Sequence, residues 1–196
     1  MKWIIVGLGN PGGEYAKTRH NAGRIVLDLF RESHDLPLWE MKKSYKALVS
    51  KGEVVGRDVL LLEPETYMNE SGKSLTTLVK SKKQAAQLIV IHDDIDLPLG
   101  AWKLSFNRGS GGHNGIESIA LVLKTKEFIR IRIGVAPRDD DGAMRKPKGE
   151  EAVVKFVLGK FREEEHDVLA RVSKEVIPSI EMLLSSGLEK TMNTYN

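Results

Sequence analysis

Cysteine is absent from the 196-residue chain. Disulfides, thiol nucleophiles and Cys-ligated zinc or iron–sulfur centres are therefore excluded, and a reducing compartment is permitted. No apolar run approaches the roughly 18 residues of a membrane span. The first ten residues hold one lysine and a short apolar run that ends in glycines, too short for the core of a signal peptide and without a cleavage site. The expectation is a soluble, cytoplasmic protein. Neither sign of charge dominates: 30 Lys and Arg against 27 Asp and Glu leave +3, which permits a polyanionic partner without demanding one. A chain of this length can bury a core without covalent staples, and one domain over 1–196 is expected.

What is there alternates between strand and helix. Trp3–Val6, Ala47–Ser50, Val54–Leu62, Ala101–Leu104 and Phe128–Val135 read as strands, the second and third broken by Gly52 and Gly56 as turns would break them. Leu88–Ile91 is continuously apolar, the mark of a strand covered on both faces, and the pattern ends it at His92-Asp93-Asp94. Helices are expected after Asn21 as cap, from Glu70 to Lys80, after the glycines at 109, 111 and 112, and from Glu163 onward, where Pro178 should kink or interrupt the last. The segment 136–149 is charged, with two prolines and two glycines, and reads as a mobile surface loop. The fold class that follows is α/β: a mixed, twisted sheet surrounded by helices.

Three tempting motifs fail on context. Gly7, Gly9 and Gly12 match the dinucleotide fingerprint, but Pro11 and Gly12-Gly13 oppose a helix starting inside the turn, and the acidic candidate Glu32 falls on a helix end instead of a strand. "ESGKS" at 70–74 ends like a P-loop whose first glycine would stand at Tyr67. "HDDID" at 92–96 offers metal-ligand chemistry, yet neighbouring strand residues face opposite ways and no second cluster supports it.

A pattern of position remains. Ligands of α/β sheets bind outside the carboxyl ends of the strands. Asn10 follows the first strand, Asn69 follows the strand ending at Leu62, Asp93 follows Leu88–Ile91, and His113-Asn114 sits in a glycine-rich turn at a helix start. His20, at the mouth of the first helix, can join this rim. Singly, each has a plain reading as a turn or cap residue, and His34, His92 and His166 are expected to have no catalytic role.

Six segments carry a resemblance: "VGLGNPGGEYAKTRHNAG" (6–23), "TYMNESGKS" (66–74), "HDDIDLPLG" (92–100), "GSGGHNGI" (109–116), "RIRIGV" (130–135) and "FVLGKF" (156–161). In order and spacing they resemble the signature blocks of bacterial peptidyl-tRNA hydrolase. The resemblance implies a single-domain, usually monomeric enzyme that cleaves the ester between a peptide and the terminal ribose of tRNA, recycling tRNA that has left the ribosome. It implies His20 as general base, Asp93 as the carboxylate orienting it, and Asn10, Asn69 and Asn114 as amides holding the peptide, the reacting carbonyl and the water. Tyr15 and His113 match positions lining the cleft. Chemistry agrees: an ester is activated enough for water to attack once a histidine removes its proton, and no metal or organic cofactor is required. The glycines of the opening motif then shape a turn that presents Asn10.

One departure stands out. The family usually places a basic residue where this chain has Ser105, paired with the arginine at Arg132 to grip a tRNA phosphate. Lys103 or Arg108 is expected to supply the missing charge, or else Arg145, Lys146 and Lys148 of the long 136–149 loop. Two alternatives are a non-catalytic RNA-binding module and a metal-dependent hydrolase using His92 to Asp96.

Overall fold

Runs of Ile, Val and Leu become strands because such side chains pack well on a pleated surface covered on both sides. A computed structural model describes residues 2–139 and 141–196. Strands Trp3–Gly7 (β1), Glu40–Lys42 (β2), Ala47–Val54 (β3), Arg57–Pro64 (β4), Leu88–Pro98 (β5), Trp102–Phe106 (β6) and Ile129–Ala136 (β7) form one sheet in the order β2-β3-β4-β1-β5-β7-β6. The inner strands β4, β1, β5 and β7 are parallel, while β2, β3 and β6 join antiparallel. Helices Ala22–Ser33 (α1), Lys82–Ala85 (α2), Asn114–Leu123 (α3), Glu150–Val157 (α4), Glu163–Ser186 (α5) and Leu188–Tyr195 (α6) complete the α/β fold.

Alternate strand residues enter two cores. Ile5, Leu61, Ile89, Ile91 and Ile131 pack with Val26 and Phe30 of α1 and Leu169, Val176 and Ile180 of α5. Ile4, Val6, Leu60, Leu62 and Val90 pack with Met68, Leu75 and with Ile116 and Ile119 of α3. The chain leaves β1 for one half of the sheet and later lays β5 on the other side of β1. The connections at the carboxyl ends of β1 and β5 therefore part, opening the crevice in which α/β sheets take ligands.

α1 crosses that crevice at very short range. A Cβ on Gly23 would lie 2.2 Å from the Ile91 carbonyl oxygen and 2.7 Å from the Leu8 nitrogen, and one on Gly7 would lie 2.7 Å from the Gly23 oxygen. Gly7 and Gly23 thus serve backbone contact between β1, β5 and α1.

Four local expectations change. β3 runs through Gly52 to Val54 because every residue pairs with β4, and the hairpin turns at Val55-Gly56, both at positive φ. Met68–Leu75 forms a 3-10 helix instead of an α-helix over 70–80: Gly72 N bonds to Ser118 Oγ, so the backbone ladder is diverted to α3. β5 does not stop at Ile91 but continues through His92-Asp93-Asp94 to Pro98, since β7 pairs with it at those residues. α5 runs unbroken through Pro178, which is exposed on its outer face. Of the 136–149 segment, Asp140 lies outside the described residues; Arg138 and Met144 bridge, and Lys146 forms an ion pair with Asp96.

Replacing Gly23 by Ala forces a methyl into the backbone of β5 and β1. It should lower stability by about 3 kcal/mol, roughly 10 °C in a chain of this size. A thermal unfolding midpoint equal to that of wild type would show that α1 is not seated this closely.

Candidate active site

Asp93 is 2% exposed, and an ionised carboxylate so placed needs hydrogen-bond donors. Two histidines supply them at the same atom. His20, in the 3-10 turn Arg19–Asn21 ahead of α1, bonds through Nδ1 to Asp93 Oδ1 at 2.9 Å. His113 bonds through Nε2 to the same oxygen at 3.0 Å. Its Nδ1 is the N-cap acceptor of α3, taking the Gly115 and Ile116 N–H groups at 3.1 and 3.3 Å. That acceptor role fixes the His113 proton on Nε2. Burial opposes charge on Asp93, but electrostatic attraction to the two imidazoles and their hydrogen bonds outweigh it and hold the carboxyl well below its usual range.

His20 differs in one respect: with Nδ1–H donated to Asp93, its Nε2 is left as a base. Burial opposes the imidazolium, while the charge and hydrogen bond of Asp93 prevail and raise the pKa above the ordinary 6.5. The turn that carries it is fastened from behind. Arg19 N donates to the Gly159 oxygen at 3.0 Å, Arg19 Nη1 to the Lys160 oxygen at 2.9 Å and Nη2 to Glu165 at 2.6 Å, with its guanidinium over the Phe156 ring. The 156–161 segment, far away in sequence, is thus the backing of His20.

Asn10 is held on three sides. Its N–H donates to Asn21 Oδ1 at 2.9 Å, its carbonyl accepts from Asn21 Nδ2 and Arg24 Nη1 at 3.0 Å each, and its Oδ1 accepts from Met68 N at 2.8 Å. Among the described residues no acceptor meets its Nδ2, which remains available as a donor. Asn21, expected to cap α1, makes no such bond; its amide is spent on Asn10. Arg24 is anchored in turn by Glu63 at 2.9 Å and by Glu65. Burial is the largest influence on Glu63 and, against Arg24, pushes its carboxyl up to about 7.

The remaining expected residues fall as follows. Asn69 and Asn114 are exposed and line an open cleft of about 690 Å³ beside α3. Tyr15 is half-buried in the turn after Gly12, with its carbonyl accepting from Thr18 Oγ1. His113, expected to line the cleft, has a side chain 8% exposed and uses both nitrogens on protein. Asp93 lies within β5, not after it. Arg132 is bound through Nε to Asp94 at 2.6 Å and is mostly buried. Lys103 is exposed and opposite it in the β6–β7 register, whereas Ser105 is buried opposite Arg130. Arg108 is exposed, Arg145 pairs with Asp139, and Lys146 pairs with Asp96.

The His92 to Asp96 segment does not converge on one point. His92 is buried, its Nδ1 donates to the Asp93 carbonyl at 2.7 Å, and its ring meets that of His113 edge-on. Burial above all, then the neighbouring His113, keeps it neutral, well below 6.5. Asp94 and Asp96 are taken by Arg132 and Lys146. Among the described residues, the trio with metal-ligand spacing is His20, Asp93 and His113, all within 4.8 Å, and the three already satisfy one another by hydrogen bonds.

Sequence reasoning missed Asn21, Arg24, Arg19 and Glu165. One signal was present: Arg24 lies at the start of α1, where the neighbouring Ala22 and Val26 face the core.

Comparison with known proteins follows the same residues end to end. The family model described as peptidyl-tRNA hydrolase matches residues 4–196. The peptidyl-tRNA hydrolase of Syntrophotalea carbinolica is 39% identical over 98% of this chain and 96% of its own. That of Geotalea daltonii is 42% identical over 98% and 95%. The crystal structure of peptidyl-tRNA hydrolase from Acinetobacter baumannii superposes with a TM-score of 0.87 at 32% identity, covering 99% of this chain and 94% of that one. A likeness that spans sequence, sheet and crevice in full leaves one conclusion: the chain belongs to the peptidyl-tRNA hydrolase family.

Proposed function

We propose that this chain hydrolyses the ester joining a peptide to the 3′-terminal ribose of tRNA, with His20 as general base on water and no covalent intermediate. The observation that carries the reading is the asymmetry of the two histidines on Asp93: both donate to one oxygen, but only His20 keeps its other nitrogen for chemistry. His20 Nε2 takes a proton from water as the oxygen attacks the carbonyl carbon, and Asp93 stabilises the imidazolium that forms. The same proton then passes to the departing ribose oxygen. Asn10 Nδ2 meets the developing oxyanion, a donor whose loss typically costs roughly 3 kcal/mol. The 111–114 turn contributes less through its backbone than through the Asn114 amide, because Gly112 N and His113 N already bond to Ser110.

Asn69, Asn114 and Tyr15 bind the peptide side, and His113 acts by positioning Asp93. Lys103, exposed across from Arg132, supplies the charge that Ser105 lacks, with Arg108 nearby in the same stretch. The scheme uses no metal or organic cofactor. No described helix is long and apolar enough to cross a membrane, and the reading includes a single-domain, cytoplasmic monomer that recycles tRNA.

Release of free tRNA from an N-blocked aminoacyl-tRNA, with chelator present throughout, tests the reading. His20→Ala should lower kcat by about 10² to 10⁴. Full activity in that variant removes His20 as base, and activity that appears only on adding a divalent ion favours a metal site at the same trio.

The pH profile carries a second expectation. A base works when neutral, so kcat/KM should be level at high pH and fall as pH drops through the raised His20 pKa. In Asp93→Asn the charge that raises it is gone while burial still lowers it, so the acid limb should move to lower pH as the plateau falls. An unmoved acid limb would mean that another group titrates.

A further inference from the structure

Beneath Asn10 one cation serves two carboxylates. Arg24, itself buried, sends Nε to Glu63 Oε2 at 2.9 Å, Nη2 to Glu65 and Nη1 to the Asn10 carbonyl oxygen at 3.0 Å. A third carboxylate, Asp28, stands one turn along α1; its Oδ1 accepts from Trp39 Nε1 at 2.5 Å, with Arg31 Nε 3.9 Å away. The charges that act on Glu63 are thus Arg24 and Asp28 from α1 and Glu65 from the segment after β4, while its register partner on β3, Leu48, is apolar.

With every group ionised, the cluster holds more negative charge than Arg24 can match. The atom where a proton relieves it is identifiable: Glu63 is 4% exposed, and its Oε1 has no partner among the described residues. A charged oxygen left so is costly. Burial first, with Asp28 and Glu65 adding to it against Arg24, pushes Glu63 up to about 7. An acid raised in the folded state takes up protons on folding, so its contribution to stability falls as pH climbs from the ordinary 4.5 towards 7. Ionising Glu63 therefore does not serve stability. It serves Arg24, because an ionised Oε2 draws the guanidinium as a charge as well as an acceptor, whereas a protonated carboxyl only accepts.

We propose that Glu63 is a positioning residue for Asn10: ionised, it locks Arg24 and, through the Arg24–Asn10 bond, the turn that aims Asn10 Nδ2; protonated, it slackens that turn. The proposal rests on the function above for the use of Asn10 as oxyanion donor. Asn21 Nδ2 holds the same carbonyl at 3.0 Å, so the turn is loosened and not released, and the loss is one of rate and not of fold.

The test compares wild type with the isosteric Glu63→Gln and with Asp28→Asn, which keeps an acceptor for Trp39, thermal unfolding being run on each. His20 is set by burial and Asp93 and titrates alike in wild type and Glu63→Gln, so the ratio of their kcat values isolates Glu63. That ratio should be about tenfold at about pH 8.5 and approach one by about pH 5.5, with KM the same in both. In an Asn10→Ala background, Glu63→Gln should cost nothing further. Without any reaction, the backbone N–H signals of Asn10 and of Met68, which donates to Asn10 Oδ1, should shift in NMR spectra with a component of midpoint near 7. Asp28→Asn should move that component to lower pH, and Glu63→Gln should remove it. A ratio that stays constant with pH, a ratio that persists in Asn10→Ala, or N–H signals that titrate identically in Glu63→Gln overturns the positioning role. If no form cleaves peptidyl-tRNA, the function fails, and the N–H titration alone decides whether Glu63 sets Asn10.

Discussion

One oxygen organises the crevice. Asp93 Oδ1 accepts from two imidazoles that are 73 and 20 residues away in sequence, and without both donors a carboxylate at this depth would cost several kcal/mol. The two must approach from different elements, the turn before α1 and the cap of α3. The close seating of α1 on β1 and β5 and of Gly72 on Ser118 meets that requirement. The shared oxygen also separates the roles of the two rings. His113 is closed by the two N–H groups of its helix, whereas nothing among the described residues claims His20 Nε2, and in the proposed reaction this difference makes one donor the base and the other a support.

The apolar frame was legible because its signals are local. Leu88–Ile91 announces a strand buried on both faces, and Ile25, Val26, Leu29 and Phe30 announce a helix with one inner face. The continuation of β5 through three polar residues was not legible, since an acidic run after an apolar one reads as an exit from the sheet. Here the acids are neutralised by His20, His113 and Arg132, partners visible only in three dimensions. Asn21 misled for the same reason: a helix-start asparagine reads as a cap, but its amide was claimed by Asn10. The resemblance pointed to His20, Asp93 and the three rim asparagines; it did not show that the 156–161 block supports the His20 turn, which needs the contact with Arg19.

Buried ion pairs tie the rim to this frame. Arg24 with Glu63 and Glu65 lies under Asn10, Arg19 with Glu165 under His20, and Arg132 with Asp94 at the end of β5. Apolar residues of similar volume would often stabilise as well or better, so stability does not account for them. Each pair instead sets a fixed distance between a rim loop and the strand or helix behind it. A hydrolytic site needs that, because an error of about 1 Å in the reacting geometry costs on the order of 10²-fold in rate.

The same pairs explain why a net charge of only +3 misstates what a polyanion would meet. Carboxylates near the crevice are already matched by partners: Asp93 by histidines, Asp94 and Asp96 by Arg132 and Lys146, Glu63 and Glu65 by Arg24. A paired carboxylate projects little field. Lys103 on β6 and Arg108, Lys124 and Lys126 around the α3 cleft are exposed, and Arg130, buried in the same lining, has no carboxylate partner among the described residues. Around the crevice the acids are therefore paired while several bases stand exposed, a local separation that the sum over the sequence does not register.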